Sequence, residues 1–405
     1  MLTRARSLSS SYPRQFWLLF WGMLVNASGA SMVWPFLTIY MRERLDVPLT
    51  TVALMLTANS LAGLVSGSVA GPAVDRFGRK GAMVLSLVMS SVVMLGMSRA
   101  DNLTEFLVLM LLAGAFQPLY RVGVDAMVAD LIPASERPGA YALLRMIANL
   151  GVAIGPAVGG FVASVSYTIA FYVAAGAHAV FAGLLLVFAR ETLPRGVHGP
   201  APRLEGYTRV LRDRPFLAFC GAYALAGISY SLMMVLLPVY AKENFFVPER
   251  AYGFIMATNA AMVVLLQYST TRRTRRYAPL PVLAVGSAFY ALGVGMVGLS
   301  AGFFGFWLAM VILTVGEMIM IPTSTALTAN LAPADMRGRY MSVYALTWGV
   351  GFGIGPVIGG LLNDNLAPVA IWAFGGLVGG LAAVAFVALS RRIRLQASPD
   401  SAPHA

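Results

Sequence analysis

Four ionisable residues sit inside long apolar runs: Arg121, Asp125, Arg145 and Glu317. An uncompensated charge at the centre of a bilayer costs about 2.5 to 3.5 kcal/mol on insertion scales, so each is expected to face protein or a wet cavity. Arg121 and Asp125 are four residues apart and share one helical face. Asp125 and Arg145 lie ten residues either side of Ser135, in a predicted turn, and so reach similar depth on antiparallel neighbours. The three can cluster, either as a permanent salt bridge that offsets desolvation or as a carboxylate that trades its arginine for a proton. Glu317, in the stretch GEMIMIP, has no cation nearby on its own helix. Desolvation favours its protonated form, which makes it a candidate proton carrier or counter-charge to a bound cation; the alternative is a neutral carboxyl bonded to a neighbouring helix.

The elements that position these groups are apolar spans. Of 405 residues, 58% are hydrophobic and 11% charged, against roughly 25% charged in a soluble domain. A mean hydropathy of +0.74 requires many apolar segments rather than one anchor. Continuous apolar runs, such as 171–189, exclude a membrane β-barrel, whose strands alternate apolar and polar. Twelve spans are predicted near 15–41, 50–74, 81–98, 103–131, 139–164, 167–190, 215–241, 250–271, 279–300, 303–331, 339–363 and 367–390. The first follows Arg4, Arg6 and Arg14 like a secretory signal, but is too long for one and reads as a span. The fold class is therefore an all-α membrane protein with twelve transmembrane helices in two six-helix pseudo-repeats.

Lysine and arginine set the expected orientation. The N-terminal tail, Arg76, Arg79, Lys80, Arg137, the Arg190–Arg214 segment, Arg272 to Arg276, Arg337, Arg339 and the Arg391 to Arg394 tail fall on one side. Arg42, Arg44, Arg99, Lys242 and Arg250 fall on the other. Both termini are thus expected in the cytoplasm, with the chain in the cell inner (cytoplasmic) membrane. The net charge of +12 suits membrane lipids with anionic headgroups and calls for no nucleic acid. Domains are expected at 1–190 and 215–405, joined by a cytoplasmic linker at 191–214. A lone Cys220 and scattered His178, His198 and His404 argue against a disulfide framework or metal site, and His178 reads as a buried neutral histidine bonded to a neighbour. No P-loop signature is present, so ATP is not the driver. No cofactor and no enzymatic activity are expected.

The two halves repeat at a shift of 200 residues. GVAIGPAVGG from Gly151 matches GFGIGPVIGG from Gly351, Pro133, Ala134 and Arg137 match Pro333, Ala334 and Arg337, and Asn59 matches Asn259. Between the second and third spans, GPAVDRFGRKG places Gly71, Asp75, Arg76, Gly78, Arg79 and Lys80 in a short basic turn. Gly71 permits close helix approach, Gly78 permits a turn, and Asp75 can face a helix N-terminus. The second-half slot is degenerate, with Arg275 at the Asp75 position.

These motifs resemble the major facilitator superfamily over nearly the whole chain. The resemblance implies paired bundles with a central cavity and alternating access, and assigns Gly71 to Lys80 to a conformational latch centred on Asp75. Gly151, Gly155, Pro156, Gly159 and Gly160 are similar to the superfamily's antiporter signature, a packing and bending device; Gly351, Gly355, Pro356, Gly359 and Gly360 repeat it. The superfamily's fourth-span arginine is absent, Met110 standing in its place, which leaves Arg121 and Asp125 as the charges of that span. If the first, fourth, seventh and tenth spans line the cavity, Asn26, Trp34, Gln117, Tyr120, Tyr223, Tyr230, Met233 and Met234 are the candidate substrate contacts, a polyspecific set of aromatics and flexible methionines. The expected function is monomeric, proton-coupled efflux of hydrophobic or cationic small molecules. A sugar, metabolite or lipid exporter, or a membrane sensor or scaffold, are the alternatives.

Overall fold

The computed structural model describes residues 12–133, 136–193, 207–333 and 336–396. His198, His404, Arg4, Arg6, Ser135, Ala134, Ala334 and most of the expected linker lie outside them. Twelve long helices, each apolar enough to cross a membrane, run through the described residues. They are α1 (Arg14–Leu45, with a 3-10 turn at Trp34–Phe36), α2 (Leu49–Phe77), α3 (Arg79–Met97), α4 (Leu103–Leu131), α5 (Arg137–Val165), α6 (Tyr167–Phe188), α7 (Arg214–Phe245), α8 (Glu249–Thr274), α9 (Pro279–Val297), α10 (Phe303–Leu331), α11 (Arg337–Asn365) and α12 (Ala370–Gln396). The spans fall where their apolar runs predict.

The repeat survives at single-residue register. Arg14 and Arg214, Leu49 and Glu249, Arg79 and Pro279, Leu103 and Phe303, and Arg137 and Arg337 open their helices 200 residues apart. Only α6 and α12, opening at Tyr167 and Ala370, break the interval. Asp46 and Phe246, which end α1 and α7, are both left-handed, with φ of 49° and 53°; this conformation turns the chain back after a helix C-terminus. Core contacts repeat too: Tyr40 lies 6.0 Å from Phe106, and Tyr240 lies 6.0 Å from Phe306, between ring centroids. Polar side chains start the helices that lack a partner there. Asn102 accepts from the Glu105 N–H at 2.9 Å, and Asp213 from the Phe216 N–H at 3.1 Å, each satisfying an otherwise orphaned donor.

The chain forms two compact units that meet in sequence between Pro202 and Arg203, and they are not simple halves. The first comprises Met1–Val47, Met55–Pro202 and Pro248–Ala260; the second comprises Pro48–Leu54, Arg203–Val247 and Ala261–Ala405. In the first, α1 packs on α5 and α6, and α3 packs on α4 and α6; in the second, α7 packs on α11 and α12, and α9 packs on α10 and α12. The first core is built on Phe16, Phe20, Met83, Met127 and Phe181. In the second, α7 is enclosed along most of its length.

Two features explain why the opening turns of α2 and α8 are grouped with the opposite half. Asp364 accepts from the Leu49 N–H (3.2 Å), the Thr50 N–H (2.8 Å) and the Thr50 hydroxyl (2.7 Å), all in the second unit. In the first unit Tyr167 donates to Glu249 at 2.7 Å. The last glycines of the repeated motif make the matching close approaches: a Cβ on Gly160 would stand 2.7 Å from the Glu249 carbonyl oxygen, and one on Gly360 would stand 2.7 Å from Thr50 Cα.

Candidate functional site

Glycines place the helices that carry the candidate site. Along α5, Gly151, Gly155 and Gly159 face α1 so closely that a Cβ would meet Ala27 at 2.7 Å, the Ser28 carbonyl oxygen at 2.7 Å and Met32 Cγ at 2.7 Å, respectively. Ser31 bridges the seam by donating to the Gly151 carbonyl at 3.2 Å. Two hundred residues on, Ser231 donates to the Gly351 carbonyl at 2.8 Å, and Gly351, Gly355 and Gly359 face Gly227, Ile228 and Leu232 of α7. Small residues let backbones approach where lipid supplies no hydrophobic driving force between helices. Pro156 and Pro356 lie inside these helices.

In the second unit this packing gathers aromatic rings from α7, α9 and α11 into one cluster near Glu317. Glu317, on α10, is half-buried and within electrostatic reach of the Tyr223 and Tyr290 hydroxyls. Tyr230 stands 5.3 Å from Tyr290, 5.6 Å from Trp348 at 90°, and 6.1 Å from Phe352. Tyr223 lies 5.1 Å from Tyr344 and 6.2 Å from Trp348, and Tyr344 shares a 2.7 Å hydrogen bond with Ser324. The nest is closed by buried tyrosines and left partly open at Trp348 and Glu317. Ring faces are negative, so an aromatic cluster with an acid within electrostatic reach is a setting that suits a cation.

Tyr223 and Tyr230 belong to this nest as expected of cavity residues. Met233 does not reach an open surface: it is fully buried, because α7 is clasped between α11 and α12, and Met234 is half-buried. Tyr290, Tyr344, Trp348 and Phe352 escaped the sequence reading. The signal was present: Tyr344, Trp348 and Phe352 recur every fourth residue and so form one stripe of α11.

In the first unit the position matching Glu317 is Gln117. Gln117, Arg121 and Asp125 lie exposed on one face of α4. Arg145 is also exposed, and no ion pair within 4 Å joins Arg121, Asp125 and Arg145. The expected cluster thus forms no contact ion pair, though Arg121 stays within electrostatic reach of Asp125. Links between α4 and α5 are instead made by Tyr141, which donates to the Asp125 carbonyl at 2.9 Å, and by Arg137, which donates to the Ala129 carbonyl at 2.7 Å. Asn26 pairs with His178 at 2.8 Å inside the bundle, and His178, 4% exposed, has the buried, neighbour-bonded setting expected of it. Tyr120 packs edge-on against Phe181 at 5.9 Å, while Trp34 is exposed.

The basic turn is held by a charge network within the first unit. Asp75 pairs with Arg79 at 2.8 Å, and Arg79 reaches Asp130 at 3.2 Å. Thr192 donates to the same Asp130 oxygen at 2.8 Å. The carboxylate at a helix N-terminus is Glu191, not Asp75: it accepts from the Arg79 and Lys80 N–H groups at 2.9 and 3.1 Å, capping α3. Gly78 is required here, with φ of 87° and Glu191 against the place a Cβ would fill. Lys80 donates to the Leu186 carbonyl at 2.8 Å. Arg76 lies 5.8 Å from the Phe77 ring, and nothing crowds Gly71. Asp130, Glu191 and Thr192 were missed because they lie at the ends of other helices, distant in sequence from the motif.

Partial burial pushes the Glu191 pKa up, but four backbone N–H donors, from Leu193, Arg79, Lys80 and Thr192, hold it below the usual carboxylate value. A depressed carboxylate stabilises the fold above its unfolded pKa and ceases to do so as pH falls through its folded pKa. Glu191→Gln is therefore expected to lower hydrogen-exchange protection at the Arg79 and Lys80 amides at neutral pH. Acidification below the carboxylate range should bring the wild type to the level of the variant. Equal protection at neutral pH would show that Glu191 caps nothing that matters.

A family model of the Major Facilitator Superfamily matches residues 19–245 and again 219–404. The chain is 28% identical over 359 residues to a Na(+), Li(+), K(+)/H(+) antiporter of Planococcus maritimus, covering 80% of this chain and 84% of that one. It is 27% identical over 385 residues to the multidrug resistance protein MdtH of Shigella boydii serotype 4, covering 93% of each. Among solved structures, a POT family transporter in complex with 5-aminolevulinic acid superposes with a TM-score of 0.81 at 17% identity, over 94% of this chain and 97% of that one. The nucleoside transporter NupG does so at 0.80 and 12% identity, over 93% and 99%. Twelve spans in repeated sixes, the basic turn and the doubled glycine seam thus have their explanation: the chain belongs to the Major Facilitator Superfamily of membrane transporters.

Proposed function

We propose that this transporter exports hydrophobic organic cations in exchange for protons, working as a monomer with both termini in the cytoplasm. The observation that carries the reading is Glu317, a half-buried acid within electrostatic reach of the Tyr223 and Tyr290 hydroxyls, whose rings belong to one aromatic cluster with Tyr230, Tyr344 and Trp348. One acid that holds either a proton or a cationic substrate makes the two compete, which is the minimal chemistry of exchange. The exposed Gln117, Arg121 and Asp125 stripe supports the reading, since a polar column inside a span belongs on a watered surface. The network of Asp75, Arg79, Asp130 and Glu191 serves as the latch that biases one state of alternating access. Relatives described as an antiporter and as a multidrug resistance protein fit this reading.

The test is transport in proteoliposomes. With an acidic lumen and alkaline exterior, a lipophilic quaternary ammonium probe is expected to accumulate inside as protons leave, and a protonophore should abolish its uptake. Uptake indifferent to the gradient would remove proton exchange from the reading. The antiporter from Planococcus maritimus favours a second reading, exchange of alkali cations for protons; the same assay with sodium or potassium as the only cation decides between them.

A further inference from the structure

The first unit supplies its own anions to its basic turn, and the second does not. Arg79 is neutralised by Asp75 and Asp130, and the α3 N-terminus is capped by Glu191. Two hundred residues on, Asp75 is replaced by Arg275 and Asp130 by Asn330, and the end of α12, where the counterpart of Glu191 falls, reads Arg391, Arg392, Ile393, Arg394 with no acid. The acids of the network are lost, Asp75 to an arginine. The corresponding end of α8 carries an open groove of about 410 Å³ lined by Tyr268, Ser269, Arg272, Arg273 and Arg276. None of its lining residues is acidic, and among the described residues none of its arginines is in an ion pair.

We propose that this groove binds the phosphate of an anionic phospholipid headgroup. The guanidinium groups of Arg272 and Arg273 at the end of α8 and of Arg276 in the turn after it line one groove and can converge on phosphate oxygens with paired N–H donors. Arginines at the end of a membrane span meet the anionic surface of the bilayer, which attracts them. A lipid rather than free phosphate is indicated by what adjoins the groove. Leu265, 74% exposed, and Tyr268, 78% exposed, continue the same side of α8 into the apolar span. An aromatic at the interface above a phosphate site, with an exposed aliphatic surface beyond it, accommodates headgroup and acyl chain together. The bound lipid would replace the missing acids and so complete in the second unit the network that the first builds from its own side chains.

Native mass spectrometry of the full-length protein in detergent tests this, with phosphatidylglycerol, phosphatidylcholine of the same acyl chains, and inorganic phosphate as probes. The wild type is expected to retain one phosphatidylglycerol at least tenfold more readily than phosphatidylcholine. Phosphatidylglycerol should also raise its melting temperature. Arg272→Ser, Arg273→Ser and Arg276→Ser together should abolish both effects. A control lacking Arg190, Arg212 and Arg214 should keep them. Equal retention of the two lipids by the wild type overturns the proposal without reference to any variant. So does undiminished retention by the groove variant, or inorganic phosphate reproducing the whole thermal shift.

Discussion

Glu317→Gln is expected to reduce pH-gradient-driven uptake of a lipophilic cation by about a hundredfold, the largest functional effect of any single substitution in this protein. A unit charge about 4 Å from a cation contributes about 4 kcal/mol at an effective dielectric of 20, and a hundredfold loss corresponds to about 2.8 kcal/mol. The margin covers the desolvation that the carboxylate itself suffers. A neutral hydrophobic substrate separates the two duties of the acid. If Glu317 carries the proton, the gradient ceases to drive either substrate in the variant; if it serves only as a counter-charge, the neutral substrate is still driven. Undiminished driving of both would take Glu317 out of the mechanism and leave Asp125 as the acid to examine.

The largest structural effect is expected from the smallest change, a methyl group on the α1–α5 seam. In Gly155→Ala the added Cβ would stand 2.7 Å from the Ser28 carbonyl oxygen and 2.9 Å from the Met32 nitrogen, with the Ser31 hydroxyl closer still. Two of those neighbours are backbone and cannot rotate aside, so the helices must separate, at a cost of about 1 to 3 kcal/mol. Gly176→Ala, in α6, meets nothing within 4 Å, and alanine is the better helix former by about 0.5 to 1 kcal/mol. Thermal unfolding in detergent should therefore move in opposite directions for one and the same chemical change. A shift of the same sign at both positions would mean that the doubled glycine motif does not act by close packing.

The fold was legible because a bilayer leaves the chain few options. Long apolar runs must become helices, and charge and turn residues mark where they end, so α1 to α12 lie close to their predicted bounds. The site was legible where a single residue violates that pattern, as Glu317 does. It was illegible where function arises from side chains converging from several helices. Tyr290 from α9 and Trp348 from α11 meet Tyr230 of α7 only through packing, and Glu191 reaches the α3 N-terminus across more than a hundred residues of chain. Met233 shows the opposite error: its type suits a flexible pocket, but helix order alone does not say that α7 is enclosed. The open arrangement of Arg121, Asp125 and Arg145 was hidden for a related reason, since depth along a helix does not give the direction of a side chain.

Five helix pairs that open 200 residues apart show no net change of length between the copies until the turn before α6 and α12. One extra residue would rotate everything after it on that helix by about 100°, carrying glycines off their seams and turning polar groups into the fatty interior. Within those five pairs, divergence between the copies therefore had one route, the exchange of one side chain for another in place. Glutamine at 117 against glutamate at 317, and aspartate at 75 against arginine at 275, are the residue of that history: a symmetric frame given direction by point differences.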